Sequence, residues 1–278
     1  VADLRQQSPV RDLGVFRPRI VIVPGALYVE RPDLGGDGQL VREVADDFGL
    51  PCERVPLAST GTLRQNARRL LDWLEDHGDS DLVLVTLSKA GAETKLALSS
   101  SAAAREFRNV RAWINVCGPL DGAPLVNWLL AGRLRSWTLR MIYRVRRRDF
   151  GFVTELGRGP GSVLDFPFQQ PPAMQIVNIV GFPLRHHFTS WFAQFCHGRL
   201  ARLGPNDGTI LLSDVLGWPG QLLPVWGADH YFRPADRAKD IVAAVLTWLS
   251  RSNQPGHSDS PTKAVTSRTT SSLKKPGV

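Results

Sequence analysis

Three side chains able to do covalent acyl chemistry together stand at turn-like positions in this sequence: Ser88, Asp207 and His230. A serine hydroxyl becomes a nucleophile when a histidine takes its proton, and a carboxylate can orient that histidine and stabilise its cation. Ser88 follows the apolar run LVLVTL (82–87) and precedes Lys89-Ala90-Gly91. A serine that turns sharply from strand to helix needs small neighbours two before and two to three after. Thr86, Ala90 and Gly91 fill those places, with Thr86 bulkier than the usual glycine. That layout would project Ser88 Oγ above a sheet and aim the Lys89 amide at an oxyanion. The bland alternative is a helix N-cap serine.

The partners are individually weaker. Asp207 lies in Asn206-Asp207-Gly208, a turn common on any surface. His230 ends Gly227-Ala228-Asp229-His230, just after the last apolar strand-like run. Pro24-Gly25-Ala26 follows the first such run and could aim the Ala26 amide at the same pocket, or simply end the strand. Asp121 is a competing acid, while Asp229 adjoins His230 and would struggle to reach its Nδ1. His186 and His187 are adjacent and so point about 100° apart on a helix, poor spacing for metal ligands. With no His-Glu-x-x-His, phosphate loop or Gly-x-Gly-x-x-Gly in the chain, neither a metal nor a nucleotide cofactor is expected.

The elements that must position these residues alternate. Strands are predicted at 19–23, 52–57, 82–87, 112–117, 174–180 and 222–225, and helices at 39–48, 62–77, 90–104 and 234–249. Thr62-x-x-Gln65 is a capping-box pattern opening the second helix. Ile241, Val245, Trp248 and Leu249 form the expected inward face of the last, with Pro234 in its first turn. Strand and helix in alternation imply an α/β fold: a mostly parallel central sheet flanked by helices. Catalytic groups would then gather at the carboxyl ends of the strands. The rhythm breaks between Gly118 and Ala173, a span of 56 residues, far more than a crossover needs.

In the order Ser88, Asp207, His230, with PGA at 24–26, TLSKAG at 86–91, NDG at 206–208 and GADH at 227–230, the chain resembles the α/β-hydrolase superfamily, its lipases and esterases in particular. The resemblance spans about residues 19–250. It implies a triad of Ser88, His230 and Asp207, an oxyanion hole of the Ala26 and Lys89 amides, an acyl-enzyme intermediate, and residues 118–173 as a helical cap or lid over the site. Leu130, Leu134, Trp137, Met141 and Val145 recur there at helical spacing, bordered by Arg133, Arg140, Arg144 and Arg147. Two expectations stay open: this stripe packs over the pocket, or it rests on an anionic lipid surface. Trp128, Trp137, Phe166 and Phe168 would make an apolar roof, and Trp191, Phe192 and Phe195 add apolar bulk before the acid, favouring an apolar acyl ester. A thioesterase or acyltransferase using the same triad, and a non-catalytic membrane- or partner-binding module of the same fold, remain alternatives.

Composition agrees with a globular protein. Of 278 residues 43% are hydrophobic and 22% charged, with a formal charge of +8. The first 18 residues read as a lead-in, the body as one domain over 19–252, and 253–278 as a Ser/Thr-rich basic tail too polar to pack. That tail carries a net +3, leaving the body at +5. Since the rest of the basic excess sits largely in the interval 118–173, nucleic acid is not an expected partner. A small-molecule or lipid-like ester and a peripheral anionic membrane are. No run approaches the about 18 apolar residues of a membrane span, and the start does not resemble a secretory signal. Three scattered cysteines, without a disulfide framework, point to a cytoplasmic protein, peripheral to membrane at most.

Overall fold

The structure is a computed structural model and describes residues 13–188, 190–233 and 235–252. The expected tail, most of the lead-in and Pro234 lie outside the described residues. Six strands form one sheet: β1 (Arg19–Val23), β2 (Cys52–Arg54), β3 (Leu82–Leu87), β4 (Val110–Val116), β5 (Gln175–Phe182) and β6 (Gln221–Trp226). The order is β2-β1-β3-β4-β5-β6 and every pairing is parallel. The chain moves outward from β1 to β2, then returns to lay β3 on the other side of β1. Its direction of growth therefore reverses between β1 and β3, and a crevice opens at their carboxyl ends. Pro24-Gly25-Ala26 leaves one of those ends and Ser88 the other.

The helices are α1 (Gln39–Asp47), α2 (Leu63–His77), α3 (Lys89–Leu98), α4 (Ala103–Glu106), α5 (Pro124–Ala131), α6 (Arg133–Val145), α7 (Gly151–Glu155), α8 (Trp191–Leu200), α9 (Leu212–Val215) and α10 (Ala235–Ser252). Side chains alternate along each strand, so the sheet feeds two cores. Ile20, Ile22, Val83, Val85 and Ile114 pack with α1 and α10. Val21, Val23, Leu82, Leu84 and Trp113 pack with α2 and α3. Apolar residues on both faces are what a parallel sheet covered by helices requires.

Four expectations need correction. The helix expected over 90–104 ends at Leu98, because Ser99-Ser100-Ser101 follow and Ser99 Oγ bonds the Leu96 carbonyl instead of continuing the ladder. β2 ends at Arg54 rather than residue 57, although Val55 N still donates to the Ile22 carbonyl. On α10 the buried face is Ala238, Val242, Val245, Leu246 and Leu249, whereas Trp248 is 40% exposed. The fourth concerns α6. Leu134, Trp137, Met141 and Val145 do not pack over a pocket; Leu134 and Val145 are 75% and 77% exposed. Leu139 and Tyr143, on the other side of the helix, carry its packing against Phe152, Val153 and Leu156. Among the described residues no helix is long and apolar enough to cross a membrane.

The interval 118–173 is anchored at the foot of α2. Thr62 Oγ1 accepts from Gln65 N at 3.2 Å, the serine/threonine half of the expected capping box. Glu155, at the end of α7, accepts from Leu63 N at 2.6 Å and Arg64 N at 3.3 Å. A carboxylate there satisfies free N–H groups and meets the positive end of the helix dipole.

Candidate active site

Ser88 has φ 51° and ψ −120°, a backbone conformation that an L-residue adopts only under constraint. The constraint comes from both flanks. β3 is fixed in the sheet through Leu87, and α3 begins at Lys89. At Gly91 a Cβ would come within 2.8 Å of Gly118 Cα, so only glycine lets α3 start this close to the end of β4. Thr86, wholly buried, is tolerated two residues before the serine because its hydroxyl is used. It accepts from Trp113 Nε1 at 2.9 Å and donates to Asn115 Oδ1 at 3.2 Å. Asn115 Nδ2 continues to Asn178 Oδ1 at 3.1 Å, and Asn178 Nδ2 reaches the Pro219 carbonyl at 2.9 Å. A chain of buried polar side chains, one hydroxyl and two amides, thus crosses β3, β4 and β5. Asn115 and Asn178, directly paired across strands, were visible in the sequence as lone amides in apolar runs.

The structure brings the three sequence-predicted groups together. Ser88 Oγ lies 2.8 Å from His230 Nε2, and His230 Nδ1 lies 2.9 Å from Asp207 Oδ2. Asp207 is fully buried, and its other oxygen accepts from Thr209 N at 2.7 Å and Ile210 N at 2.8 Å. The Asn-Asp-Gly turn therefore both hides the carboxylate and fixes its orientation. His230 N donates to the Asp207 carbonyl at 3.0 Å, so the two loops are also locked through their backbones. Asp229 instead accepts from Tyr231 N and Arg233 N and shapes the histidine loop. Asp121 is elsewhere: it binds Lys95 Nζ at 3.0 Å and Trp218 Nε1 at 2.7 Å. Burial is the largest influence on His230 and lowers its pKa. The charge and hydrogen bond of Asp207, with the charge of Asp229, outweigh it, leaving the pKa above 6.5.

A cavity of about 110 Å³ opens beside Ser88, with Gly25, Ala26, Leu87, Val116 and His230 in its wall. Gly25 N donates to the Gly36 carbonyl at 2.8 Å, and a Cβ at Gly25 would sit 3.0 Å from the Leu87 carbonyl, so this turn lies tightly against the serine strand. Ala26 thereby faces the same cavity as Ser88. The expected aromatic roof is not there. Trp137 is 61% exposed. Trp128 packs on Phe195, Phe168 on Trp113, and Phe166 lies under Lys95. The reason is the same as for the α6 stripe: α6 and α7 pack through Leu139, Tyr143, Phe152 and Val153 with Leu63 of α2 and Ala92 of α3.

Sequence reasoning missed a buried ion pair at the serine turn. Lys89 Nζ contacts Glu93 Oε1 at 2.6 Å with both side chains almost wholly buried, and also donates to the Gly61 carbonyl at 3.1 Å. Asn66 Nδ2 donates to Glu93 at 2.7 Å, and the ammonium lies 5.1 Å from the Phe152 ring centre. Burial pushes the Glu93 carboxyl up against the lowering effect of Lys89. Its signal was the i,i+4 spacing of opposite charges in an otherwise small-residue helix.

Cys117 is the other unexpected neighbour. Its sulfur and one ligating atom each of Asp207 and His230 lie within 4.8 Å of one another. Burial, then the Asp207 charge, push the thiol pKa well up. A protonated thiol beside a carboxylate already holding two amides and an imidazole is a poor ligand set. The three cysteines are free thiols.

No protein-family model and no curated protein sequence matches the chain. Solved structures do. A Bacillus licheniformis lipase, BlEst2 in mature form, superposes with TM-score 0.58 at 18% identity, covering 86% of this chain and 95% of the lipase. The metagenomic carboxyl esterase MGS0156 gives 0.55 at 18% identity, over 86% and 75% of the two chains. Phospholipase PlaB from Legionella pneumophila gives 0.52 at 13% identity, over 85% of this chain and 59% of that one. With its all-parallel sheet, its serine at the turn after β3 and these neighbours, the chain has the α/β-hydrolase fold.

Proposed function

We propose that this protein is a serine hydrolase that cleaves carboxylic esters with apolar acyl groups. The observation that carries the reading is the continuous hydrogen-bond relay from Ser88 Oγ through His230 to Asp207, with the serine backbone held at φ 51°. In this reading His230 Nε2 takes the Ser88 proton as Oγ attacks the carbonyl carbon. Asp207 keeps Nδ1–H pointed at itself and stabilises the imidazolium. The amides of Ala26 and Lys89 stabilise the oxyanion, an effect worth about 3 kcal/mol per donor. The imidazolium then protonates the leaving group, and water, deprotonated by the same imidazole, releases the acid from the acyl-enzyme. Residues 118–173 act as a cap, and its exposed α6 stripe with the flanking arginines makes peripheral contact with an anionic lipid surface.

Fluorophosphonate labelling tests the assignment. The wild-type protein labels and turns over para-nitrophenyl esters, and Ser88→Ala, which keeps the fold, does neither. Labelling of the Ser88→Ala protein at the wild-type rate overturns it.

A further inference from the structure

The two amides assigned to the oxyanion hole come from different elements: Ala26 from the turn after β1, Lys89 from the first position of α3. A third segment, residues 57–61 between β2 and α2, touches the neighbourhood of both. On the β1 side, Leu27 N donates to the Ser59 carbonyl at 3.2 Å, Val29 N to Ser59 Oγ at 3.4 Å, and the Tyr28 hydroxyl to the Leu57 carbonyl at 2.7 Å. On the α3 side, Lys89 Nζ donates to the Gly61 carbonyl at 3.1 Å.

The segment is also tied to itself. Asn66 Oδ1 accepts from Ala58 N at 3.0 Å, and Asn66 Nδ2 donates to the Ala58 carbonyl at 2.9 Å. The same Nδ2 donates to Glu93 Oε1 at 2.7 Å, and Lys89 Nζ meets that oxygen at 2.6 Å. Lys89, Gly61, Ala58, Asn66 and Glu93 thus form a closed circuit of hydrogen bonds. A Cβ at Gly61 would come within 2.7 Å of Ala58 Cβ and 3.0 Å of Asn66 Oδ1, so only glycine lets the segment fold this tightly. Asn66, Lys89 and Glu93 are all buried, with the Phe152 ring beside the ammonium.

Stability is a weak reason for such a circuit, since a buried ion pair gains little over apolar side chains of similar volume. What it adds is direction, because charge-assisted hydrogen bonds fix distance and angle more closely than apolar contact does. Direction matters most for donors that must meet an oxyanion, where a misplacement of about 1 Å can cost about 10²-fold in rate.

Resting on the hydrolase reading above, we propose that Asn66, Glu93 and the Lys89 side chain are positioning residues of the oxyanion hole: their circuit clamps residues 57–61 to α3 and so sets the spacing of the Ala26 and Lys89 amides. None of the three side chains need touch the substrate.

Full-length variants separate stability from kinetics. Lys89→Met with Glu93→Leu keeps the Lys89 amide and replaces the pair by apolar volume. Its urea midpoint should stay close to wild type, yet kcat on para-nitrophenyl butyrate should fall at least about tenfold with KM little changed. Affinity for phenylboronic acid, whose serine adduct places an oxygen in the hole, should fall by the same factor. The pH–rate inflection should not move, because the relay from His230 to Asp207 is intact. Asn66→Ala, which cuts the circuit without touching the pair, should show the same kinetic pattern. Glu93→Gln keeps an oxygen for both donors; it should be less stable than the double variant and still recover most of the kcat. A double variant with wild-type kcat and boronic-acid affinity overturns the proposal. So does a loss of kcat accompanied by a shifted inflection, which would put the damage at the relay, or a Glu93→Gln protein as slow as the double variant. Any of these in a protein that still labels with fluorophosphonate at Ser88 leaves the hydrolase reading standing. A wild-type protein that neither labels nor hydrolyses removes both.

Discussion

His230 is the residue whose titration reports most directly on the site. Its burial alone would lower the pKa, and the Asp207 carboxylate at 2.9 Å reverses that. In the proposed role of general base it works only when neutral, so kcat/KM should rise with pH through an apparent pKa above the ordinary histidine value. Stability runs the other way. A folded-state pKa above the unfolded value contributes stability that is fully present below about pH 6.5 and is lost as pH rises through the folded pKa. Asp207→Asn removes the larger raising influence and leaves burial opposed only by the charge of Asp229. Its pH–rate inflection should move to the acidic side while kcat falls by about 10⁴. An unmoved inflection, followed by stopped-flow or steady-state assay, would show that the carboxylate does not face the working imidazole.

Among the elements, α3 carries an arrangement whose cost decides how it tolerates change. Lys89 and Glu93 sit one turn apart with the serine turn immediately before them, both inaccessible to water. One Glu93 oxygen has no hydrogen-bond partner. Burying an ion pair gains little over an apolar pair of similar volume, but removing one partner leaves a charge with no counterion. Glu93→Ala should therefore cost about 3–5 kcal/mol of stability. Lys89→Met with Glu93→Leu should recover most of it, read as the urea midpoint at unchanged m-value. If the double variant is as unstable as the single, the pair holds α3 through hydrogen bonds to Asn66 and Gly61, not through charge balance. The i,i+4 spacing was legible in the sequence. That it faces inward was not, because a helix of small residues has no clear apolar stripe to mark its buried side.

For the whole molecule, the distribution of charge and apolar surface matters more than the net +8. Half of the exposed large apolar residues among those described lie on α6 and α8, and Arg133, Arg140, Arg144 and Arg147 border the α6 stripe. Arg140 lies over the Phe150 ring at 4.8 Å, so part of that border is already packed onto the apolar body. Such a surface suits an anionic lipid face, where each arginine is worth about 1 kcal/mol and added salt screens most of it. Changing the four arginines to Gln should weaken sedimentation with phosphatidylserine vesicles and lower activity on aggregated esters, while soluble short-chain esters keep near wild-type turnover. Equal loss on both substrates would mean that the arginines hold the interval 118–173 in place instead.

The amino-acid sequence by itself determined the alternation of strand and helix, the sharp turn at Ser88 and the placing of the candidate acid and base on turns at the sheet's edge. Each depends on local chemistry: a continuous apolar run, small residues around one serine, an Asn-Asp-Gly turn, and the limited loops that can meet at one edge of a parallel sheet. Only the tertiary structure decided which of two acids reaches the histidine. Asp121 and Asp207 look alike along the chain, and the difference is that Lys95 and Trp218 hold one while the Thr209 and Ile210 amides aim the other. It also decided the walls of the pocket. Periodicity says that α6 has an apolar stripe but not what faces it. The stripe stays in solvent because Leu139 and Tyr143 dock the opposite side of the helix, and the cavity beside Ser88 is closed by α1 and α10 instead. Packing between elements distant in sequence sets that choice, and no spacing within one element encodes it.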